Sequence, residues 1–237
     1  MRDIVLDILS PEYCSVCGKF LFSNHKKVAC GSCCKLYFKP FIGAKCKVCG
    51  YPLSLSPGCE PLCRYCFEGR VFSFDNYSYF GLYEGLIEVA IKKLKIDGRK
   101  DVAQVIGGEI SFYLRRFLNE NGVKLLTFVP AHKEEKEMRG FNQCEMILEF
   151  SSLPFVSILE KMFHGKKQAV LGRKGRKINV KGLFKVKEGV DLSGKNVCIF
   201  DDIFTTGSTV NEVATVLKEA GAHEVSVFTV ARSVSVK

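Results

Sequence analysis

The sequence contains no tryptophan, little proline or histidine, and no long apolar run. Its 237 residues include 7 Pro and 4 His, while 47% are hydrophobic, which is enough to build a packed core. No apolar stretch reaches the roughly 18 residues that a membrane-spanning helix needs, so we expect no membrane insertion. The first ten residues carry Asp3 and Asp7 within a short apolar pattern, unlike a secretion signal. These features predict a cytoplasmic protein.

Acidic residues are missing from one stretch of the chain. His164 to Lys187 contains nine Lys or Arg residues and no Asp or Glu, and it contributes much of the formal net charge of +10. Its interspersed glycines predict a mobile, electropositive segment that contacts polyanions, although a solvated loop without a role is the plain alternative. The candidate DNA-binding residues are Lys166, Lys167, Arg173, Lys174, Arg176, Lys177 and Lys181.

Cysteine is concentrated at one end, because 10 of the 12 cysteines lie within the first 66 residues. Without a secretion signal these thiols indicate metal ligands and not disulfides, and four regular Cys-x-x-Cys pairs favour structural zinc over an iron–sulfur cluster. The simplest partition gives two four-cysteine zinc sites, with an interleaved pairing left open. The two sets are Cys14, Cys17, Cys30 and Cys33, and then Cys46, Cys49, Cys63 and Cys66.

After the cysteine-rich part, the pattern changes to an alternation of strands and helices. Aromatic alternation predicts a strand from Phe74, and helical apolar spacing predicts helices around 86–94 and 102–114. Further strands are expected at 125–129, 196–200 and 224–230, with helices at 141–150 and 209–220. This order predicts an α/β fold with a mainly parallel sheet flanked by helices. We therefore expect a zinc-binding module over 1–72 and an α/β domain over 73–237.

The stretch V-C-I-F-D-D-I-F-T-T-G-S-T at 197–209 has the composition of a phosphate-binding loop. A buried strand is followed by Asp201 and Asp202, and small hydroxylated residues then lead into a helix whose free N–H groups attract anions. We expect the two carboxylates to face a sugar and to help retain Mg²⁺. The alternative is a buried strand followed by an acidic turn and a capped helix. The candidate cradle comprises Thr205, Thr206, Gly207, Ser208 and Thr209.

This loop resembles the phosphoribosyl pyrophosphate (PRPP) motif of type I phosphoribosyltransferases. The stretch R-G-F-N-Q from Arg139 to Gln143 resembles a signature of the ComF (ComFC) family of competence-associated proteins, and the cysteine-rich part resembles that family's double zinc ribbon. The resemblance implies a type I phosphoribosyltransferase fold. It also implies a pyrophosphate loop at Ala131, His132 and Lys133, and catalytic roles for Asp201, Asp202, Lys133 and Arg139.

The resemblance further implies a protein that binds PRPP with Mg²⁺ and handles single-stranded DNA during natural transformation, with a competence helicase as a further candidate partner. In such folds the basic segment resembles the flexible loop that closes over PRPP. Two alternatives stay open: an active phosphoribosyltransferase with an unknown acceptor, and a regulator that responds to PRPP.

Overall fold

The computed structural model describes residues 12–14, 17–21, 29–131, 137, 140–162 and 182–234. The strands are β1 (Glu12–Tyr13), β2 (Phe20–Leu21), β3 (Asn76–Leu82), β4 (Leu125–Phe128), β5 (Leu159–Lys161), β6 (Phe184–Val186), β7 (Asn196–Phe204) and β8 (Glu224–Arg232). The helices are α1 (Gly31–Tyr37), α2 (Arg64–Phe67), α3 (Gly85–Lys95), α4 (Lys100–Glu120), α5 (Gln143–Ser151) and α6 (Ser208–Glu219).

The centre of the molecule is a four-stranded sheet of order β3-β8-β7-β4 in which every neighbouring pair is parallel. Strand β7 is apolar along most of its length because helices cover both faces of the sheet. Cys198 and Phe200 pack into the apolar cluster on one face, whereas Val197 and Ile199 pack into the cluster on the other. The predicted α/β class with a parallel sheet is therefore confirmed.

Helices α3, α4 and α5 cover the first face, and α6 covers the second. Helix α4 buries Val102, Ile106, Ile110 and Leu114, whose spacing of four residues places them on one stripe. Each buried aliphatic side chain of this kind stabilises the fold by about 1.5–3 kcal/mol. Gly107 lies on the same side and allows α4 to approach the backbone of α5 closely.

Two elements differ from the sequence-based expectation. Strand β7 continues to Phe204, four residues further than predicted, so that Asp201 and Asp202 belong to the strand and not to a turn. Phe184–Val186 pairs antiparallel with Leu159–Lys161, so this end of the basic segment is a strand where a mobile loop was expected. Hydrogen bonding between the two flanks explains the difference, since neither flank carries a strong strand pattern by itself.

The first cysteine set does not form a separate core. Cys14, Cys33 and Phe38 pack in the same apolar cluster as helices α3–α5. The second set forms its own small cluster with Leu53, bordered by Phe72. A domain boundary near residue 72 stays a prediction. Over the ranges that the structure describes, no helix is both long and apolar enough to cross a membrane.

Candidate phosphate-binding site and two cysteine clusters

The eight paired cysteines converge into two groups of four. One group comprises Cys14, Cys17, Cys30 and Cys33, and the other comprises Cys46, Cys49, Cys63 and Cys66. Within each group the Sγ atoms all lie within 4.8 Å of one another. This is the simplest of the partitions that the sequence allowed, and Cys34 and Cys59 stand outside both groups.

The two groups differ in their surroundings. All four cysteines of the second group are buried, whereas Cys17 of the first is exposed. In the second group, the Cys49 and Cys63 sulfurs approach to 3.5 Å, and burial raises the pKa of Cys49 to about 11. Four converging sulfurs suit a tetrahedral metal ion that takes thiolate ligands, and the absence of other ligand types fits a structural site.

Asp201 and Asp202 lie at the carboxyl end of β7, which is the edge where ligands of open α/β sheets bind. Asp202 shares a face with Cys198 and Phe200 because side chains alternate along a strand. Its side chain is buried, whereas that of Asp201 is half-buried. The backbone N–H of Asp202 donates to Asp201 Oδ1 at 2.9 Å, which fixes the orientation of the first carboxylate.

Asp202 is held by two side chains from the helices on its face. Lys95 Nζ, at the end of α3, lies 2.8 Å from Asp202 Oδ1, and Gln143 Nε2, at the start of α5, donates to Oδ2 at 3.0 Å. Burial lowers the pKa of Lys95, but the charge and hydrogen bond of Asp202 outweigh this effect and leave the pKa above its ordinary value. Lys95 is therefore a charged partner of Asp202.

Burial and the neighbouring Asp202 charge raise the pKa of Asp201 to about 7. Cys144 contributes a second neighbour, since its Sγ donates to Asp201 Oδ1 at 3.6 Å. Burial and the two carboxylates raise the pKa of Cys144 well above its usual value, so Cys144 stays a neutral thiol. Ligand atoms of Cys144, Asp201 and Asp202 lie within 4.8 Å of one another. Mg²⁺ prefers oxygen, so the two carboxylates are the residues that fit it.

The proposed cradle, Thr205–Thr209, connects β7 to the first turn of α6. Gly207 is the N-cap residue of α6 with φ +80° and has no side chain that could cap the helix, while the backbone N–H of Ser208 donates to Thr206 Oγ1 at 3.4 Å. Thr206 Oγ1 and Ser208 Oγ lie 2.9 Å apart, and Thr205, Thr206 and Ser208 are exposed. Exposed hydroxyls at a helix N-terminus that a glycine caps leave O–H and N–H donors for an anion. A small pocket here is lined by Asp201 and by residues of the loop.

Of the other predicted site residues, Ala131 lies within the part of the chain that the structure describes. Ala131 is half-buried and lies shortly after β4, the strand that pairs with β7. The remaining candidates lie outside the described residues, and their roles stay predictions. They are His132, Lys133, Arg139, Lys166, Lys167, Arg173, Lys174, Arg176, Lys177 and Lys181.

Sequence reasoning missed two kinds of residue around this site. Gln143 is the last residue of the R-G-F-N-Q stretch, for which no contact was predicted, and Cys144 follows it directly, so the motif itself was a usable signal. Arg232 gave no such signal because it ends an ordinary apolar strand. It is 1% exposed, and its guanidinium donates to the carbonyls of Phe204 and Thr205 at the start of the cradle.

A parallel sheet with this loop at its carboxyl edge, together with two four-cysteine groups, defines an α/β protein with a candidate phosphate-binding edge. The chain is 26% identical over 231 residues to competence protein ComFC of Streptococcus pneumoniae, covering 92% of this chain and 99% of that protein. It is 28% identical over 221 residues to ComFC of Bacillus subtilis, covering 90% and 88% of the two chains. The chain is thus a homologue of the ComFC proteins, which confirms the resemblance to the ComF family.

Other similarities cover less of the chain. DNA utilization protein YhgH of Escherichia coli is 26% identical over 155 residues, with 60% of this chain and 66% of that protein covered. Among solved structures, a hypoxanthine phosphoribosyltransferase from Staphylococcus aureus aligns with 58% of this chain and 76% of its own, at 13% identity and a TM-score of 0.36. No family model matches the sequence.

Proposed function

We propose that this protein binds PRPP together with Mg²⁺ and handles single-stranded DNA during DNA uptake. The observation that carries the proposal is the carboxyl end of β7, where two adjacent carboxylates precede a helix N-terminus whose N-cap residue is a glycine. Helix N–H groups and exposed hydroxyls suit the 5′-phosphate, and carboxylates suit ribose hydroxyls and a hydrated cation. The names of the homologues, competence protein and DNA utilization protein, support the part of the proposal that concerns DNA.

The charges around Asp202 support a ligand site that is electrostatically balanced in the free protein. In the free protein Lys95 neutralises Asp202, so that the buried carboxylate is not left unpaired. When Mg²⁺ and PRPP are bound, Asp201 and Asp202 would hold the cation and the sugar, and the Lys95 ammonium would face a diphosphate. Mg²⁺ supplies charge neutralisation for the diphosphate when it is bound.

We further propose that each four-cysteine group holds one structural Zn²⁺. The soft S₄ donor set favours zinc, and closed four-thiolate sites leave no position for a substrate. The metal would supply folding free energy to a cysteine-rich part that buries few aliphatic side chains. We expect two zinc ions per chain by elemental analysis, and unfolding of the cysteine-rich part in excess chelator. A cysteine-rich part that stays folded without metal would contradict this assignment.

The PRPP proposal is tested by isothermal titration calorimetry of the zinc-loaded chain with PRPP and Mg²⁺. Asp201→Ala and Asp202→Ala are each expected to weaken binding at least about tenfold, which is the loss of one charge-assisted contact. Asp191→Ala is the matched control, because Asp191 is exposed and lies on a loop before β7. Unchanged affinity in both site variants would exclude this location.

The DNA proposal is tested by the salt dependence of single-strand binding. Neutralising Arg173, Lys174, Arg176 and Lys177 together should lower affinity and flatten the slope of log K against log salt by up to about 3. The control neutralises Arg64, Lys92 and Arg116, three exposed cations that each form an ion pair with a glutamate four residues away, and so tests the effect of losing positive charge elsewhere on the surface. An unaltered slope in the fourfold variant would remove this segment from the DNA site.

Two other functions share the same site. An active phosphoribosyltransferase is favoured by the Asp201 and Asp202 pair beside a loop built to hold a phosphorylated sugar. Release of pyrophosphate from PRPP in the presence of bases, ammonia or single-stranded DNA would establish transfer. A PRPP-responsive regulator instead requires that PRPP change the affinity for DNA or for a protein partner such as a helicase. Equal affinities with and without PRPP would exclude that regulator.

A further inference from the structure

We infer that Arg232 couples the second cysteine cluster to the PRPP loop, so that the metal site and the ligand site stabilise each other. The inference rests on the proposed function of the loop, and it assigns Arg232 a positioning role. Among the described contacts the Arg232 guanidinium bonds neither to the Asp201 and Asp202 carboxylates nor to the cysteine sulfurs, but it joins the backbone of the cradle to that of the cysteine cluster.

The contacts of Arg232 span the two sites. Its Nε donates to the carbonyl of Cys49 at 3.0 Å, and its Nη1 donates to the carbonyls of Phe204 at 3.2 Å and Thr205 at 2.9 Å. Nη1 also donates to the carbonyl of Ser233. Cys49 belongs to the second cysteine group, and Thr205 is the first residue of the cradle. One planar cation therefore holds both backbones.

The environment of Arg232 makes this junction rigid. Its side chain is almost fully buried, and its guanidinium lies 4.7 Å from the ring centroid of Phe204 and 5.6 Å from that of Tyr51. Within the described part of the chain no carboxylate pairs with it, so backbone carbonyls and aromatic faces are its partners. If either backbone moved, this buried cation would lose hydrogen bonds that water cannot replace, and the folded protein would lose stability.

Phe72 provides an independent link between the same two regions. Phe72 borders the second cysteine cluster, and its ring packs edge-on against Phe204 with 5.8 Å between the centroids. The same ring lies against Gly207, where an added Cβ would come within 2.8 Å of it. Phe204 and Gly207, at the two ends of the loop that precedes α6, thus both lie against Phe72, which borders the second cysteine cluster.

These contacts define a coupling that is reciprocal. Metal binding fixes the Cys49 turn and thereby the guanidinium that orients the Phe204 and Thr205 carbonyls, while ligand binding orders the loop and thereby the same guanidinium. Whatever factor the metal contributes to ligand affinity, the ligand contributes to metal retention. The first cysteine group has no such contact with the loop among the described residues, so it serves as an internal reference.

The test uses pulsed alkylation of the zinc-loaded full chain by N-ethylmaleimide, with a zinc-selective chelator and excess Mg²⁺ present. Peptide mass spectrometry separates the Cys46–Cys66 peptides from the Cys14–Cys33 peptides. We expect saturating PRPP to slow modification of the second group about fivefold or more, the lower end of typical coupling, and to leave the first group unchanged. Arg232→Lys, which keeps the charge but cannot bridge the carbonyls, should abolish this protection and weaken PRPP binding about tenfold.

Calorimetry with PRPP on the same samples distinguishes a failure of the proposed PRPP binding from a failure of the coupling. If the wild-type chain binds no PRPP, the proposed function fails. If it binds PRPP but both cysteine groups are protected equally, or neither is, the coupling is overturned. Full protection in Arg232→Lys would also overturn it. Should that variant fail to fold, Phe72→Leu replaces it, with reduced protection expected and unchanged protection counting against the coupling.

Discussion

Replacing Lys95 with Met isolates the ion pair at the centre of the site. Lys95 Nζ lies 2.8 Å from Asp202 Oδ1, and the Asp202 side chain is only 4% exposed. Met keeps the length and apolar stem of the lysine but, among the described residues, leaves the buried carboxylate with Gln143 as its side-chain donor. The free protein should therefore lose stability, because a buried charge without its counter-ion is strongly unfavourable.

The magnitude follows from the burial of the pair. Removing one partner of a fully buried ion pair costs about 3–5 kcal/mol. Because 28% of the Lys95 side chain stays exposed and Gln143 still donates to Asp202, we expect a loss of about 2 kcal/mol. In urea unfolding of the zinc-loaded, PRPP-free chain, this lowers the midpoint by about 1 M. Lys92→Met is the control, since Lys92 forms an exposed pair with Glu88 on the same helix.

The same variant should change the binding of two ligands in opposite directions. Mn²⁺, used as a probe for the divalent cation, should bind Lys95→Met more tightly, because no ammonium competes for Asp202. PRPP should bind less tightly, because the diphosphate loses a cation. Calorimetry measures both. Equal stability of Lys95→Met and Lys92→Met, together with weaker Mn²⁺ binding, would refute the view that Lys95 holds Asp202 in the absence of ligand.

Three further predictions follow from the site and its supports. Because the pKa of Asp201 is raised to about 7, the folded protein retains a proton that the unfolded chain releases near pH 4. The contribution of Asp201 to the free energy of unfolding should therefore fall as pH rises from about 4 to 7. Mn²⁺ affinity, measured by calorimetry, should rise up to about pH 7 as Asp201 ionises and then level off. Gly207→Ala places a Cβ 2.3 Å from the Phe204 ring at a φ of +80°, so it should cost at least about 1–2 kcal/mol in urea unfolding and weaken PRPP binding. Gly107→Ala should destabilise α4 packing by about 1–3 kcal/mol, whereas Gly108→Ala, which meets no atom within 4 Å, should stabilise by about 0.5–1 kcal/mol; the same sign in both would contradict the close approach of α4 and α5.

Periodicity predicted the elements of the sheet well because burial on both faces leaves a clear signature. The apolar runs that became β4, β7 and β8, and the helical stripes that became α3 and α4, were each placed within a few residues. Prediction failed at β5 and β6, where two three-residue strands lack a pattern of their own and depend on pairing across the basic segment. Local propensity contains no information about that partner.

The cysteines show which features the sequence predicts and which the tertiary structure decides. Four Cys-x-x-Cys pairs are sufficient to predict eight ligands, since the spacing lets each turn present both sulfurs to one ion. The spacing is the same in every pair, however, so it does not determine which pairs share a site. The tertiary structure brings Cys14–Cys17 to Cys30–Cys33 and Cys46–Cys49 to Cys63–Cys66.

At the proposed PRPP site, the sequence alone determined the loop: its strand, its two acids, and the small residues before a helix are contiguous, and contiguous chemistry is visible in a linear pattern. The neighbours of that loop come from elsewhere. Lys95 and Gln143 reach Asp202 from two helices, and Arg232 reaches the loop from the end of β8. Such contacts join residues separated by up to 107 positions, as for Lys95 and Asp202, and they arise only when packing against a common sheet brings helix ends and strand ends to one edge.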